Sequence, residues 1–335
     1  VESDYNYLKY DAPEQMKKIG LDQLKVALEK MLLIRHFEIR SESAYLHGKI
    51  GGFFHAYTGQ EAIATAAVDA IGVDANWWTT TYRCHALALL TGVSPNEAMA
   101  ELYGKANGNA QGRGGSMHLY SDRMLGGFGI VGGHMPIIAG AAFSLKYLGE
   151  KGVSVGFLGD GAVVQGAFHE SMNLMSLWNL PGIVVIENNQ WGMGTAVKRA
   201  VCVQPIAEHF GKAYDVKSIT VDGMDYLACH ACFEEASRYA KEHSKPVLIE
   251  AVTERFKGHS VSDPGLYRTK DELEAAKKRD PIVLMRHLLE EAKILQEGEF
   301  DALSEEKKQE VLKAMEFAES GPDPDPITLE EGVFA

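Results

Sequence analysis

The spacing of apolar residues along the chain sorts it into two regimes. From 21 to 47, Leu24, Leu28, Met31, Leu32, Ile34 and Phe37 recur at three- and four-residue intervals with charged residues between them, which predicts a helix with one buried face. Further helical patterns lie at 60–71, 83–91 and 95–104, and residues 74–81 read as a short connection or strand. Beyond 137 the rhythm alternates. A helical run at 137–148 precedes a continuous apolar stretch at 153–158, a helix at 166–180 stopped by Pro181-Gly182, and a second apolar stretch at 183–187. A strand at 217–221, a helix at 225–243 and a strand at 246–253 continue the pattern, and charged helical stretches follow at 270–279, 281–296 and 303–319. Alternation of this kind predicts an α/β fold: a mainly parallel sheet with helices on both faces. The expected organisation is an N-terminal arm (1–20), one α/β domain (21–270) and a helical C-terminal extension (271–335) whose last residues, SGPDPDPITLEEGVFA, are extended.

The two central strands carry the candidate chemistry. Strand 153–158 delivers Asp160, held between Gly159 and Gly161, to its carboxyl end; about thirty residues later strand 183–187 delivers Asn188 and Asn189 to its own. That interval fits one parallel crossover, so both groups arrive at the same sheet edge, where open α/β sheets bind ligands. The glycines allow a sharp turn and close approach of backbone to a ligand. A helix starting near Gln165 points free N–H groups at that edge and favours an anion. A carboxylate beside an anion is repelled unless a cation lies between them. Asp160 and an asparagine carbonyl are hard oxygen donors suited to Mg2+ that shares oxygens with a phosphate, so the pattern points to Mg2+ with a phosphorylated cofactor.

Residues 104–134 are rich in glycine and weakly periodic, too long for a turn. Met117, Leu119, Met124, Phe128, Ile130 and Val131 give this segment packing residues, so it reads as a functional loop. The 335-residue chain is 46% hydrophobic with a net charge of −13. It can bury a full core, it lacks the basic stripe of a nucleic-acid binder, and it would be repelled by anionic membranes. No apolar run approaches the length of a membrane span. Four cysteines suit a reducing compartment, and Cys229-His-Ala-Cys232 reads as helix packing rather than a zinc or redox pair. The first residues, polar and acidic, resemble neither a signal nor a transit peptide. The expected compartment is bacterial cytoplasm, or an organelle matrix in a eukaryote.

The motifs taken together resemble a known family. GGFFHAYTGQEA (51–62), TTYRCH (80–85), GRGGSMHLY (112–120), GGFGIVGG (126–133), GDG (159–161), ENNQWGMGT (187–195), VDGMD (221–225) and GHSVSDPG (258–265) are similar to the α subunits of the thiamine diphosphate-dependent 2-oxoacid dehydrogenase E1 family, pyruvate dehydrogenase E1 in particular, over roughly residues 20–330. The resemblance implies that Asp160, the Asn189 side chain and the Trp191 carbonyl hold Mg2+ on the diphosphate. It implies further that Gly161 and Ala162 amides, Tyr82, Arg83 and His259 meet the diphosphate, that Gly129 and Val131 contact the aminopyrimidine through their backbone, and that His55, His259 and Ser121 serve the 2-oxoacid chemistry. The implied reaction is oxidative decarboxylation of pyruvate with transfer of the acetyl group to a lipoyl disulfide on an E2 acyltransferase. The glutamate that activates the aminopyrimidine belongs, in the family, to a β subunit; this chain has one diphosphate motif, so an α2β2 assembly with the site at the subunit interface is expected.

Three departures stand out. Trp191 replaces the family's usual tyrosine, at a position where only the carbonyl binds. His134 replaces a small or amide-bearing residue and is given no role; His85 reads as a satisfied helix histidine. After Ser260 and Ser262, the stretch DPGLYR is a residue shorter than in mitochondrial relatives and lacks their later serine, so phosphorylation control is not expected. Branched-chain 2-oxoacid and acetoin dehydrogenase α subunits are the rivals within the family, with Phe53 and Phe54 favouring the smaller pyruvate. A nicotinamide dehydrogenase is disfavoured because GFGIVG (127–132) does not open a helix directly after a strand. A non-catalytic scaffold is disfavoured by the intact Arg83, Asp160, Asn189 and His259.

Overall fold

The structure, a computed structural model, describes residues 5–331; the first four residues of the expected arm and the last four of the tail lie outside them. Its strands are β1 (Trp77–Thr81), β2 (Met124–Phe128), β3 (Ser154–Gly159), β4 (Gly182–Asn188), β5 (Trp191–Gly192), β6 (Thr195–Ala196), β7 (Lys217–Asp222) and β8 (Val247–Val252). Six of them form one sheet in the order β2-β1-β3-β4-β8-β7, with every pairing parallel. The short β5 and β6 form a separate antiparallel hairpin.

Both faces of the sheet are buried, which is why its central strands read as continuous apolar runs. Side chains alternate between two cores. Val155, Phe157, Ile183 and Val185 join the larger core with the helices Leu21–Leu46, Glu61–Ile71 and Tyr226–His243. Leu158, Val184 and Ile186 join the other core with the helices Met135–Leu148 and Gly166–Leu177. A Cβ at Gly156 would lie 1.9 Å from Ile138 Cδ1, so only glycine there lets the helix Met135–Leu148 lie on β3. The helix Glu299–Ser320 places Val311, Ala314 and Ala318 in the larger core as well.

Several elements were not read from the pattern. The arm contains a helix, Ala12–Ile19, capped by the Asp11 side chain on the Glu14 amide. The glycine-rich segment contains β2, which pairs with β1. The helix Ile206–Tyr214 precedes β7, and the tail closes on a short 3-10 turn, Pro326–Glu330.

The register of the sheet sets up the site. Gly159 pairs with Glu187, so β3 and β4 end level and the chain emerges from both at the same edge. From β1 the chain moves to β2 on one side, and from β3 to β4 on the other. The carboxyl ends of β1 and β3 therefore flank a point where connections diverge, which leaves a crevice.

Candidate active site

The crevice is a cavity of about 500 Å³. Each contributing element ends on a polar or glycine-containing segment at this edge: Tyr82-Arg83 after β1, Gly129–Gly132 after β2, Asp160–Ala162 after β3, Asn189 after β4, and Arg255 with His259 after β8.

At the floor, Asp160 and Asn189 are 2% and 5% exposed. Asp160 Oδ2 and Asn189 Oδ1 are both buried without a hydrogen-bond partner. Asn189 is held by the other end of its amide, where Nδ2 donates to Gln60 Oε1 at 3.1 Å, and that bond leaves Oδ1 as the free acceptor. Burial pushes the Asp160 carboxyl up to about 6, against a backbone hydrogen bond and the charge of Arg255, which pull it down. Two buried acceptor oxygens without a protein donor are costly to leave so. A divalent cation satisfies both at once. No cluster of three His, Cys, Asp or Glu able to hold a metal exists among the described residues. A donor set of one carboxylate and one amide is incomplete for an octahedral ion and suits one that takes its remaining oxygens from a ligand and water.

Above this floor the cavity is built for an anion. Arg83 and Arg255 are 5% and 2% exposed, and neither has a carboxylate ion-pair partner among the described residues. Arg83 donates to the carbonyls of Ala56 at 2.8 Å and His259 at 2.5 Å. Burial, then the nearby Arg255, lower its pKa to about 10. Arg255 donates to the Trp191 carbonyl at 3.2 Å, the Lys257 carbonyl at 3.2 Å and Tyr267 Oη at 2.7 Å. The Trp191 carbonyl is thus already engaged on one side and keeps a second lone pair.

Tyr82, His55 and His259 cluster as rings, with centroids 4.3 Å (His55–Tyr82), 5.1 Å (His55–His259) and 5.6 Å (Tyr82–His259) apart. Burial foremost, then Arg83, depresses both imidazoles, His55 to about 3 and His259 to about 4. Each Nδ1 is buried without a partner. Both rings are therefore neutral near pH 7, and an anion bound between them and the guanidiniums raises both pKa values.

A family model described as dehydrogenase E1 component matches residues 29–327. This chain belongs to the dehydrogenase E1 component family. Proteins named pyruvate dehydrogenase E1 component subunit alpha are similar to it over most of their length. That of Rickettsia felis is 39% identical, over 96% of this chain and 98% of that one. That of Porphyra purpurea is 40% identical over 93% of each. That of Rhizobium meliloti is 39% identical, over 91% of this chain and 87% of its own.

In this dehydrogenase E1 chain the residues expected from sequence converge, with one exception. His55, Tyr82, Arg83, Gly129, Val131, Asp160, Gly161, Ala162, Asn189, Trp191 and His259 all line the cavity. Ser121 does not. It sits before β2, at the amino end of that strand and away from the crevice, where its Oγ donates to Thr91 Oγ1 at 3.1 Å and accepts the Met124 amide. The family resemblance implies a place for Ser121 near the 2-oxoacid, but the direction of β2 puts it at the opposite end of the strand from the crevice. Phe54 is also not at the cavity; it is fully buried and stacks on His85, whereas Phe53 lines the cavity.

Several residues were missed. Arg255 and Glu187 line the cavity. Glu187 accepts from the Tyr57 hydroxyl, and burial raises its pKa to about 7. For Glu187 the available signal was a charge at the carboxyl end of an otherwise apolar strand; Arg255 lies three residues beyond β8 and had no such signal. Glu101 was read only as part of a helix. It is fully buried, and its two oxygens accept four amides: Ala110 (2.7 Å), Gly112 (2.9 Å), Gly114 (2.6 Å) and Gly115 (3.1 Å). That wrapping explains the glycine cluster, since Gly112 and Gly115 have φ of 78° and 59°. His134, given no role, is buried against Phe128 and bonds the Phe157 carbonyl through Nε2 at 2.7 Å. Cys229 and Cys232 are fully buried in the larger core.

Proposed function

We propose that this chain is the α subunit of a pyruvate dehydrogenase E1, which decarboxylates pyruvate oxidatively with Mg2+ and thiamine diphosphate and passes the acetyl group to the lipoyl disulfide of an E2 acyltransferase. The observation that carries this reading is the pair of buried, unpartnered oxygens, Asp160 Oδ2 and Asn189 Oδ1, on one cavity whose other wall holds Arg83 and Arg255. When bound, thiamine diphosphate supplies a nucleophilic carbon and an electron sink for decarboxylation. The protein's share is position and electrostatics. Asp160, Asn189 and the Trp191 carbonyl would hold the cation. Arg83, the Gly161 and Ala162 amides and a neutral His259 donate toward the diphosphate, and Tyr82 packs beside them. Gly129 and Val131 offer backbone to the aminopyrimidine. His55, neutral and in ring contact with His259, donates to the 2-oxoacid.

The site needs a second chain. Ile130, Val131 and Met193 line the cavity yet are 77%, 44% and 63% exposed, an apolar rim that a β subunit in an α2β2 assembly would cover. The activating glutamate is assigned to that subunit. Among the described residues no helix is long and apolar enough to cross a membrane, and the net charge of −13 disfavours a nucleic-acid partner. Bacterial cytoplasm, or an organelle matrix, fits these features.

The test is the chain with and without its β partner, assayed for pyruvate-dependent reduction of a lipoyl domain. The pair is expected to be active only with Mg2+ and thiamine diphosphate, and the α chain alone inactive; activity of the α chain alone overturns the interface reading. A branched-chain 2-oxoacid is the second reading, favoured by Phe54 turning into the core and leaving Phe53 alone of that pair to narrow the cavity. Higher kcat/KM for a branched acid than for pyruvate would select it.

A further inference from the structure

The first described residues of the chain reach the cation-binding turn from behind. The Tyr5 hydroxyl accepts from Asn188 Nδ2 and from Gln190 Nε2, both at 3.3 Å; these are the two neighbours of Asn189. Asn188 is pinned elsewhere as well. Its Nδ2 donates to Glu250 Oε1 on β8 at 2.7 Å, and its Oδ1 accepts the Gln190 backbone and side-chain amides at 3.1 and 3.0 Å. The second oxygen of Glu250 accepts the Ala207 amide at 2.9 Å, at the start of the helix Ile206–Tyr214. Gln190 itself has φ of 69°, a left-handed conformation that a glutamine keeps only when its surroundings enforce it.

The arm is anchored independently of this turn. The Leu8 amide donates to the Thr220 carbonyl at 2.8 Å on the edge strand β7, and the Tyr10 hydroxyl donates to Asp225 at 2.6 Å. Leu8 and Tyr10 pack against the larger core. Tyr5 and Tyr7 stack with centroids 5.9 Å apart. Tyr7 shares a second cavity of about 600 Å³ with Gln190 and Trp191, and Trp191 lines the first cavity as well. The arm thus runs from the sheet edge to the turn that carries Asn189, whose side chain is oriented jointly by this turn and by its bond to Gln60.

We propose that the N-terminal arm, through Tyr5, is a positioning element for the divalent-cation site: it holds the 188–190 turn so that Asn189 Oδ1 faces the same point as Asp160. Tyr5 touches no ligand of its own. It acts by keeping Asn188 and Gln190 in one arrangement before the cation arrives. The proposal rests on reading Asp160 and Asn189 as cation ligands.

The experiment uses the α chain co-purified with its β partner, as wild type, as Tyr5→Phe and as a form lacking residues 1–10. Mg2+ is titrated at saturating thiamine diphosphate by calorimetry, and the Mg2+ KM, kcat and cofactor-free Tm are measured alongside. Loss of two neutral hydrogen bonds predicts an Mg2+ Kd raised about 3- to 10-fold in Tyr5→Phe. A larger rise is expected on truncation, while kcat at saturating Mg2+ and the Tm of Tyr5→Phe stay close to wild type. An unchanged Mg2+ Kd in Tyr5→Phe, or a fall in Tm and kcat with Mg2+ affinity intact, overturns the proposal and leaves the arm as a cover for the sheet edge. Failure of the wild-type pair to bind Mg2+ with thiamine diphosphate instead overturns the reading of Asp160 and Asn189, and the proposal with it.

Discussion

Gly161 and Gly192 stand so close that a Cβ on either would lie 3.5 Å from the Cα of the other. One belongs to the turn after β3, the other to the hairpin after β4, so this contact joins the two halves of the site by backbone alone. The gap admits a methyl group at ordinary van der Waals distance. Gly161→Ala is therefore expected to fold normally, with a Tm within about 2–4 °C of wild type. The methyl nevertheless occupies the backbone's approach to a phosphate, so Mg2+-dependent thiamine diphosphate affinity is expected to fall about tenfold in calorimetry.

Asp160→Asn separates stability from function. The wild-type carboxyl is pushed to about 6 by burial, so keeping it charged at pH 7 costs the cofactor-free fold free energy. An amide removes that cost. The cofactor-free variant is expected to be as stable as wild type, or more stable by on the order of 1–3 kcal/mol in urea denaturation. Mg2+-dependent cofactor binding is expected to be lost. A strongly destabilised Asp160→Asn would contradict this account of the site.

What was legible in the sequence follows from what the local pattern encodes. The central strands announced themselves because both faces are buried, and the β3–β4 crossover brought Asp160 and Asn189 to one edge, as the level register of Gly159 and Glu187 shows. β2 was hidden because two of its five residues are glycine and its neighbours are turns. The helix Ala12–Ile19 carries a capping signal, Asp11 with Pro13 and Glu14, but its low apolar content leaves it unmarked within the expected arm. Ser121 lies at the amino end of β2, and a motif does not encode which end of a strand a residue occupies. Arg255 and Glu101 act through tertiary partners, the Trp191 carbonyl and the loop amides, that no local period reveals.

Glu101 orders the glycine-rich loop by accepting four amides. In Glu101→Gln the amide end cannot accept, so two loop N–H groups lose their partner and face a donor instead. Hydrogen bonds to a charged group contribute about 1.5–3 kcal/mol each. The variant is expected to lose on the order of 3 kcal/mol or more of stability, with faster amide exchange confined first to residues 104–116. Unchanged exchange there would show that the loop is held by other contacts.

His85 makes stability pH-dependent from inside the core. Nδ1 lies 3.0 Å from Glu38 Oε1 and Nε2 lies 2.8 Å from the Ser116 carbonyl, two acceptors that only the imidazolium satisfies together. Burial alone would lower the pKa, but the Glu38 charge and these bonds leave it raised above 6.5. The stabilisation is fully present below pH 6.5 and is lost as pH rises through the higher folded-state value. Urea midpoints measured from about pH 6 to 9 should fall more steeply for wild type than for Glu38→Gln. Parallel curves would remove the charged pair from the account.

The central claim is that Asp160 and Asn189 grip one divalent ion that in turn grips a diphosphate. The most direct measurement is anomalous diffraction from crystals of the αβ assembly grown with Mn2+ and thiamine diphosphate. The account predicts a single strong peak in the cavity about 2.0–2.3 Å from Asp160 Oδ2 and Asn189 Oδ1, in contact with the diphosphate oxygens. A peak elsewhere, or a bound cofactor whose metal leaves either of those oxygens uncoordinated, would contradict it.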